Sequence, residues 1–408
     1  MRLPIWSLSL VCCISGWAHA QSNASAPAAQ AASIRQDVTI PFELVNKNVY
    51  IQVSIDGSRP FWFVLDTGDK YAVVDLNTAK SLGVSLGDQV SVGGGGEHVI
   101  MGNFVKNGSF RVKGLDGFAQ PLFIAIPLDD LAKVSGHEFA GILGFDFISQ
   151  FAIEIDYIKK TLTLHDKANY QYRGDGESFP ISFNAAGHPQ IKAAIVDHGN
   201  PIDGLFTFDI GSAASVILNS PFARKQGLPH TGQQTVPWLE GFGFGGDIAG
   251  TVGRLNGIKL GGFLIEDPVV VFSQTESGPL ASPDAQGNLG AAILEKFRII
   301  LDYERKRLIL ESNAKFPEPL EYNRSGLFLE GLGNDYKTFR IRAVADHSPA
   351  SEAELKVGDE LITINGQPAA DYTLSQLRDM LQRAAECDLA IRRDGHDLPA
   401  KLKLRRLI

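Results

Sequence analysis

Residues 57–75 read GSRPFWFVLDTGDKYAVVD: an apolar run, Phe61–Leu65, ends on Asp66, and Thr67 and Gly68 follow at once. Such a dense apolar run predicts a buried strand, and a strand that ends on a carboxylate delivers it to a fixed point. The glycine two positions on lets the backbone turn tightly beside that carboxylate. Residues 199–218, GNPIDGLFTFDIGSAASVIL, repeat the pattern with Asp209, Ile210 and Gly211. A second pair of segments follows, GILGFDFISQFAIEIDYIKKTLTLHD (141–166) and GNLGAAILEKFRIILDYERKRLILES (287–312). In it Gly144 matches Gly290, Phe151 matches Phe297, and Asp156-Tyr157 matches Asp302-Tyr303. One glycine-rich stretch lies between the landmarks of each half, at 93–96 and 241–246. Landmarks that recur in one order predict two homologous lobes facing across a cleft, because two long units are too few for a solenoid.

With the lobes related by a pseudo-twofold axis, Asp66 and Asp209 meet on that axis. Two carboxyls ~3 Å apart cannot both ionise, so the pair holds one shared proton and its pKa values belong to the pair. Such a pair deprotonates a water as it attacks a peptide carbonyl, then protonates the leaving nitrogen, with no covalent intermediate. A lone Asp-x-Gly is an ordinary turn. Here the pairing by repeat, with the downstream segments Ile142-Leu143-Gly144 and Asn288-Leu289-Gly290, marks it as more than that.

On these residues the region from about Arg35 to Ser312 resembles the aspartic proteases of the retropepsin and pepsin clan. The resemblance implies a mainly β fold of two retropepsin-like β-barrel lobes forming a bilobal protease, over residues 35–170 and 171–314. It implies an Asp66/Asp209 catalytic dyad, active-site loops containing Thr67, Gly68, Ile210, Gly211 and Ser212, peptide or protein substrates, and no metal or cofactor. Because each half has its own glycine-rich stretch, the halves look like two fused retropepsin units. Flap tips are then expected at Gly93, Gly94, Gly95 and Gly96, and at Gly243, Phe244, Gly245 and Gly246. A monomer is expected, since the repeat already supplies the partner lobe.

Two positions depart from the family pattern. A Thr or Ser hydroxyl in each loop ordinarily bonds across to the other lobe; Thr67 fits, but Ile210 has no hydroxyl. Ile210→Thr should therefore raise stability if a partner is in reach, whereas a loss would show that Ile210 fills an apolar pocket. Asp69, where Ala or Ser is common, either turns inward as a third carboxylate or is a solvated turn residue beside Lys70. The alternative function is a noncatalytic peptide-binding protein that keeps the cleft but has lost chemistry through Ile210 or Asp69.

Pro317 and Pro319 in KFPEPL (315–320) deny backbone donors to regular structure, so residues 315–324 are expected to be a linker from which a separate module, 325–408, can be detached. Within that module Ser348-Pro349-Ala350, Leu355 with Gly358-Asp359, the hairpin signal Asn365-Gly366 and a helix from Thr373 to Arg383 resemble a PDZ domain. The resemblance implies that an extended peptide adds to a sheet edge, its terminal carboxylate held by the loop Gly326-Leu327-Phe328-Leu329.

The 408 residues include 46 acidic and 38 basic side chains, a net charge of -8, which leaves no broad basic face for nucleic acid. Arg2, the apolar run Ile5–Trp17 and Ala18-His19-Ala20 read as an export signal over residues 1–20, cleaved after Ala20. Residues 21–34 are then a flexible leader of small and polar residues. A periplasmic or secreted protein is expected, with no transmembrane span once the signal is gone. Cys387 alone remains, which rules out an intrachain disulfide. His98, His137, His165, His188, His198 and His230 lack metal-ligand spacing and are expected to be surface or satisfied core residues.

Overall fold

Each aspartate sits where a parallel strand pair closes beneath it. Strand β1 (Phe61–Leu65) carries Asp66 at its end and β2 (Val73–Asp75) follows the turn. Helix α1 (Asp129–Ser135) precedes β3 (Gly141–Leu143), which runs parallel to β1 on one side and antiparallel to β2 on the other. The second half repeats this pairing. Strand β4 (Pro189–Asp197) forms a hairpin with β5 (Asn200–Asp209), and β6 (Val216–Leu218) and β7 (Gly287–Gly290) follow. Strand β7 is parallel to β5 and antiparallel to β6. In both halves the strand that leads to Gly144 or Gly290 is thus clasped between the strand entering the Asp loop and the strand leaving it. The computed structural model describes residues 36–408 except 97, 116 and 117; the expected signal (1–20) and leader (21–34) lie outside the described residues.

A six-stranded sheet joins the halves. At its centre Ala152–Asp156 of the first half pairs antiparallel with Phe297–Asp302 of the second, Ile153 opposite Leu301 and Ile155 opposite Ile299. All four side chains are fully buried, as alternating apolar residues of a one-sided sheet must be. Arg298 crosses the seam to Glu154 (2.7 Å) and also pairs with Glu311 of its own half (2.7 Å). One hydrophobic core therefore runs through both lobes.

The carboxy-terminal module has its own core and a sheet whose edge strand is β8 (Leu327–Leu332). Its helix α2 (Leu374–Arg383) begins with a Thr373/Gln376 capping box and buries Leu374, Leu377 and Leu381, the face its spacing predicts. Asn365 (φ 50°) and Gly366 (φ 78°) form a two-residue turn with both residues left-handed, the hairpin expected of Asn-Gly. Cys387 is buried in this core.

Residues 315–324 are irregular, as their prolines require, but they are fastened down. Lys296 Nζ donates to the carbonyls of Lys315 (3.0 Å), Phe316 (3.3 Å) and Glu318. Phe316 packs on Phe263 and Phe297, and Arg254 bonds the Leu320 carbonyl at 3.0 Å. The chain end returns to the second lobe: Gln234 bonds the Leu407 carbonyl (2.7 Å), and Ile408 joins the main core. The expected detachable module is thus tied in at both ends. Among the described residues no helix is long and apolar enough to cross a membrane.

Candidate active site

The two Asp loops approach so closely that a side chain is excluded at Gly211 and would be tight at Gly68. A Cβ on Gly68 would lie 3.1 Å from Asp209 Cγ and 3.1 Å from Asp66 Oδ1; one on Gly211 would lie 2.1 Å from Asp66 Cγ. The carboxyls are held unequally. Asp66 Oδ1 accepts one amide, Gly68 N–H, at 2.6 Å. Asp209 Oδ1 accepts Gly211 N–H (3.0 Å) and Ser212 N–H (3.0 Å), and its Oδ2 accepts Asn288 Nδ2–H (2.6 Å). Burial pushes Asp66 well above the usual carboxylate range, with the Asp209 charge, the Asp69 charge and a side-chain hydrogen bond to Asp209 adding to the rise.

The cross-lobe lock differs from expectation. Thr67 Oγ1 donates to the Phe208 carbonyl (2.6 Å) and accepts Ile210 N–H (3.1 Å), so one hydroxyl makes two bonds across the interface. Ile210 is fully buried among apolar side chains. Its side of the lock is supplied by Asn48 of the first lobe, whose Nδ2 donates to the carbonyls of Ile210 (3.2 Å) and Gly211 (2.7 Å). Asn48 carried no sequence signal; Asn288 did, as the one polar residue in an otherwise apolar slot.

Asp69 is not a fully solvated turn residue and feels the charges of Asp209 and Asp146. It is half-buried, and burial first, then the charges of Asp209 and Asp146, push its carboxyl up to about 7. Asp146, raised by burial to about 6 against the amides of Ala72 (2.7 Å) and Phe147 (2.8 Å), adds a further carboxyl on the first-lobe side. Burial lowers His188, opposed by the Asp209 charge, and Tyr303 hydroxyl is buried without a partner and raised by burial and by Asp66.

The two glycine-rich stretches meet. Residues 242–247 form a small hairpin with Phe244-Gly245 at its tip. Gly96 N–H donates to the Phe244 carbonyl (2.9 Å) and His98 N–H to the Gly245 carbonyl (3.1 Å). The approach excludes side chains, since a Cβ on Gly94 would stand 2.4 Å from Phe244 Cβ and one on Gly96 2.3 Å from Gly245 C. Gly93 and Gly243 flank these contacts, and Gly246 is left-handed (φ 99°).

In the carboxy-terminal module, Leu327, Phe328 and Leu329 are buried. Two amides of the expected carboxylate loop are already used: Gly326 N–H donates to Asn323 Oδ1 (3.0 Å) and Leu327 N–H to Ser325 Oγ (3.0 Å). Helix α1 ends at Gly136, which lies against both walls of the groove between β8 and α2. A Cβ on Gly331 would be 3.1 Å from Gly136 Cα, and one on Gly136 would be 2.5 Å from Leu374 Cβ. Arg378 of α2 clamps the contact, donating to the carbonyls of Val134 (2.8 Å) and Leu329 (2.9 Å). The first lobe therefore covers the groove. Arg342 reaches the 242–247 hairpin, pairing with Asp247 at 2.8 Å and stacking over the Phe242 ring at 4.6 Å.

Residues 51–147 match the family model of aspartyl proteases, and residues 340–393 match that of PDZ domains. The chain thus contains an aspartyl protease domain and, at its carboxy terminus, a PDZ domain, within a mainly β fold. No curated protein matches it. Among solved structures, the crystal structure of basic 7S globulin from soybean is similar, with a TM-score of 0.43 and 12% identity over 69% of this chain and 97% of that one.

Proposed function

We propose that the protein is an exported aspartic endopeptidase in which Asp66 and Asp209 share one proton. The observation that carries this reading is the meeting of the two loops, where a Cβ on Gly68 would stand 3.1 Å from both Asp209 Cγ and Asp66 Oδ1, with burial first and then the Asp209 charge raising Asp66. Burial and the neighbouring Asp209 and Asp69 charges raise Asp66, which puts the shared proton on the Asp66 side. A water between the carboxyls gives its proton to Asp209 as it attacks the peptide carbonyl, while Asp66 protonates the carbonyl oxygen. Asp209 then returns its proton to the leaving nitrogen as the C–N bond breaks, and Asp66 recovers its proton from a hydroxyl of the collapsing gem-diol, which restores the pair. Thr67, Gly68, Ile210, Gly211 and Ser212 hold the loops, and 93–96 and 243–246 act as paired flap tips over the substrate. The Asn48 bridge answers the argument for lost chemistry at Ile210, and so favours the enzyme over a noncatalytic binder. Export rests on residues 1–20 and places the enzyme in the periplasm or outside the cell.

The PDZ domain regulates the flap rather than presenting an open peptide site. Its groove is covered by α1, and Arg342 holds the flap hairpin. Glu240, just before that hairpin, accepts Asn323 Nδ2–H at 3.2 Å, which adds to the docking. Incubating a mixed peptide library with the full chain from acid to neutral pH tests the function, with Asp66→Asn and Asp209→Asn as controls. Cleavage lost in both variants is expected; cleavage that survives either would remove the dyad. Arg342→Ala should change KM for peptides more than kcat; an unchanged KM would leave the PDZ domain a purely structural support.

A further inference from the structure

Two histidines 32 positions apart come together on the second lobe, away from the dyad. The β4–β5 hairpin turns through His198 (φ 46°) and Gly199 (φ 79°), with Asp197 paired opposite Asn200. Both turn residues are left-handed, a conformation that Asn, Asp or Gly enters most readily at the first position. Here that position is His, and its ring lies over His230, the centroids 4.7 Å apart and tilted by 36°. His230 Nε2 is 2.9 Å from Asp197 Oδ2. Donor atoms of all three side chains lie within 4.8 Å of one another.

We infer that Asp197, His198 and His230 form a site for Zn2+ or a similar first-row divalent cation. Two imidazole nitrogens and one carboxylate oxygen are a borderline donor set that suits zinc and its neighbours and does not suit magnesium or calcium. A tetrahedral zinc with bonds of about 2.0–2.2 Å holds neighbouring donor atoms about 3.3 Å apart. The cluster therefore has to contract by roughly 1.5 Å at its widest, which rotation of the exposed His198 supplies. The other two ligands are already placed. Asp197 ends a long strand, and His230 sits in a turn closed by Gln233, whose side chain accepts His230 N–H (2.9 Å) and donates to the Arg254 carbonyl (2.7 Å). Three protein ligands leave the fourth position to water on the exposed side.

The site is remote from the chemistry, because the ten-residue strand β5 spans about 30 Å between the turn and Asp209. A bound ion would instead tie the tip of the β4–β5 hairpin to the loop after the helix Ser220–Gln226. Among the described residues Cys387 is the one cysteine, so a disulfide cannot make that cross-link. The inference stands apart from the protease proposal and does not need it.

Titrating the full chain with ZnCl2 by calorimetry, with Co2+ as an absorbing substitute, tests it. One ion per chain is expected, with a Zn2+-dependent rise in Tm that Mg2+ does not reproduce. His230→Ala should weaken binding at least tenfold. His198→Asn is the sharper variant, since Asn-Gly suits this turn: it should match or exceed the parent Tm without metal, yet lose the zinc-dependent rise and the cobalt spectrum. Absence of saturable binding, an equal response to Mg2+, or binding unchanged in His198→Asn and His230→Ala would each overturn the site and leave only a hydrogen-bonded His230–Asp197 pair beside a tilted ring.

Discussion

The two lobes share a backbone plan around the dyad but divide its polar groups between them. Thr67 of the first lobe faces Ile210 of the second, Asp69 corresponds to Ser212, Ile142 to Asn288, and Asp146 to Ala292. The first lobe thus brings two additional carboxyls toward the centre, and the second brings an amide donor. Strand pairing sets the geometry and is indifferent to these side chains, so each lobe is free to differ in charge once the loops are placed. A pair that is symmetric in backbone is thus unequal in surroundings, with Asp66 raised by burial and neighbouring anions and Asp209 accepting three N–H groups.

The largest test of that division is loss of either carboxyl. Asp66→Asn or Asp209→Asn should lower kcat/KM by about 10⁴-fold or more, at or beyond the upper end of the ordinary worth of one acid or base, because the shared proton needs both. Equal and small losses would break the comparison. Thr67→Val comes next: it leaves buried Ile210 N–H without a partner and should cost about 2 kcal/mol by urea unfolding. Ile210→Thr should also destabilise, by about 1–2 kcal/mol, since the new hydroxyl enters an apolar core whose nearby carbonyl Asn48 already serves. A gain in stability there would restore the expectation that a second hydroxyl finds a partner.

Smaller effects separate the lobes by pH. Asn288→Leu, which gives the second lobe an apolar side chain like Ile142, removes a donor from Asp209 and so favours a second proton on the pair. The acid limb of the pH–kcat profile should move up, and kcat should fall about tenfold if that hydrogen bond is worth about 1.4 kcal/mol. Asp69→Ser makes the opposite change. Without the Asp69 charge, Asp66 releases its proton more readily, and the alkaline limb should move down. Stability carries a second signature, because Asp69 rises on folding from 3.8 to about 7. The folded state then binds more protons than the unfolded one between those values, so the contribution of Asp69 is present below 3.8 and is lost as pH rises through about 7. Asp69→Ser should flatten that decline in urea unfolding; an unchanged slope would return Asp69 to solvent.

Much of the plan was legible along the chain because it is local. An apolar run stopping at Asp before Gly, the Asn365-Gly366 turn and the Leu374, Leu377, Leu381 stripe each declare themselves within a few residues, where strand, turn and helix chemistry act. The mainly β class and the pairing of Asp66 with Asp209 followed from repeats of such signals. What the contacts across the chain decided could not be read that way. Asn48 reaches residues 162 and 163 positions away, and nothing in its neighbours marks it as the missing half of a lock. Asp69 could face water or the dyad until Asp209 and Asp146 were placed around it. His198 and His230 look unrelated until a hairpin tip and a distant loop become neighbours. The PDZ groove is complete in sequence, yet its occupancy depends on α1 of another lobe. Local hydrogen bonding and hydrophobic periodicity fix elements, whereas orientation, burial and charge at a site depend on which elements pack together, and only the folded chain brings those surfaces into contact.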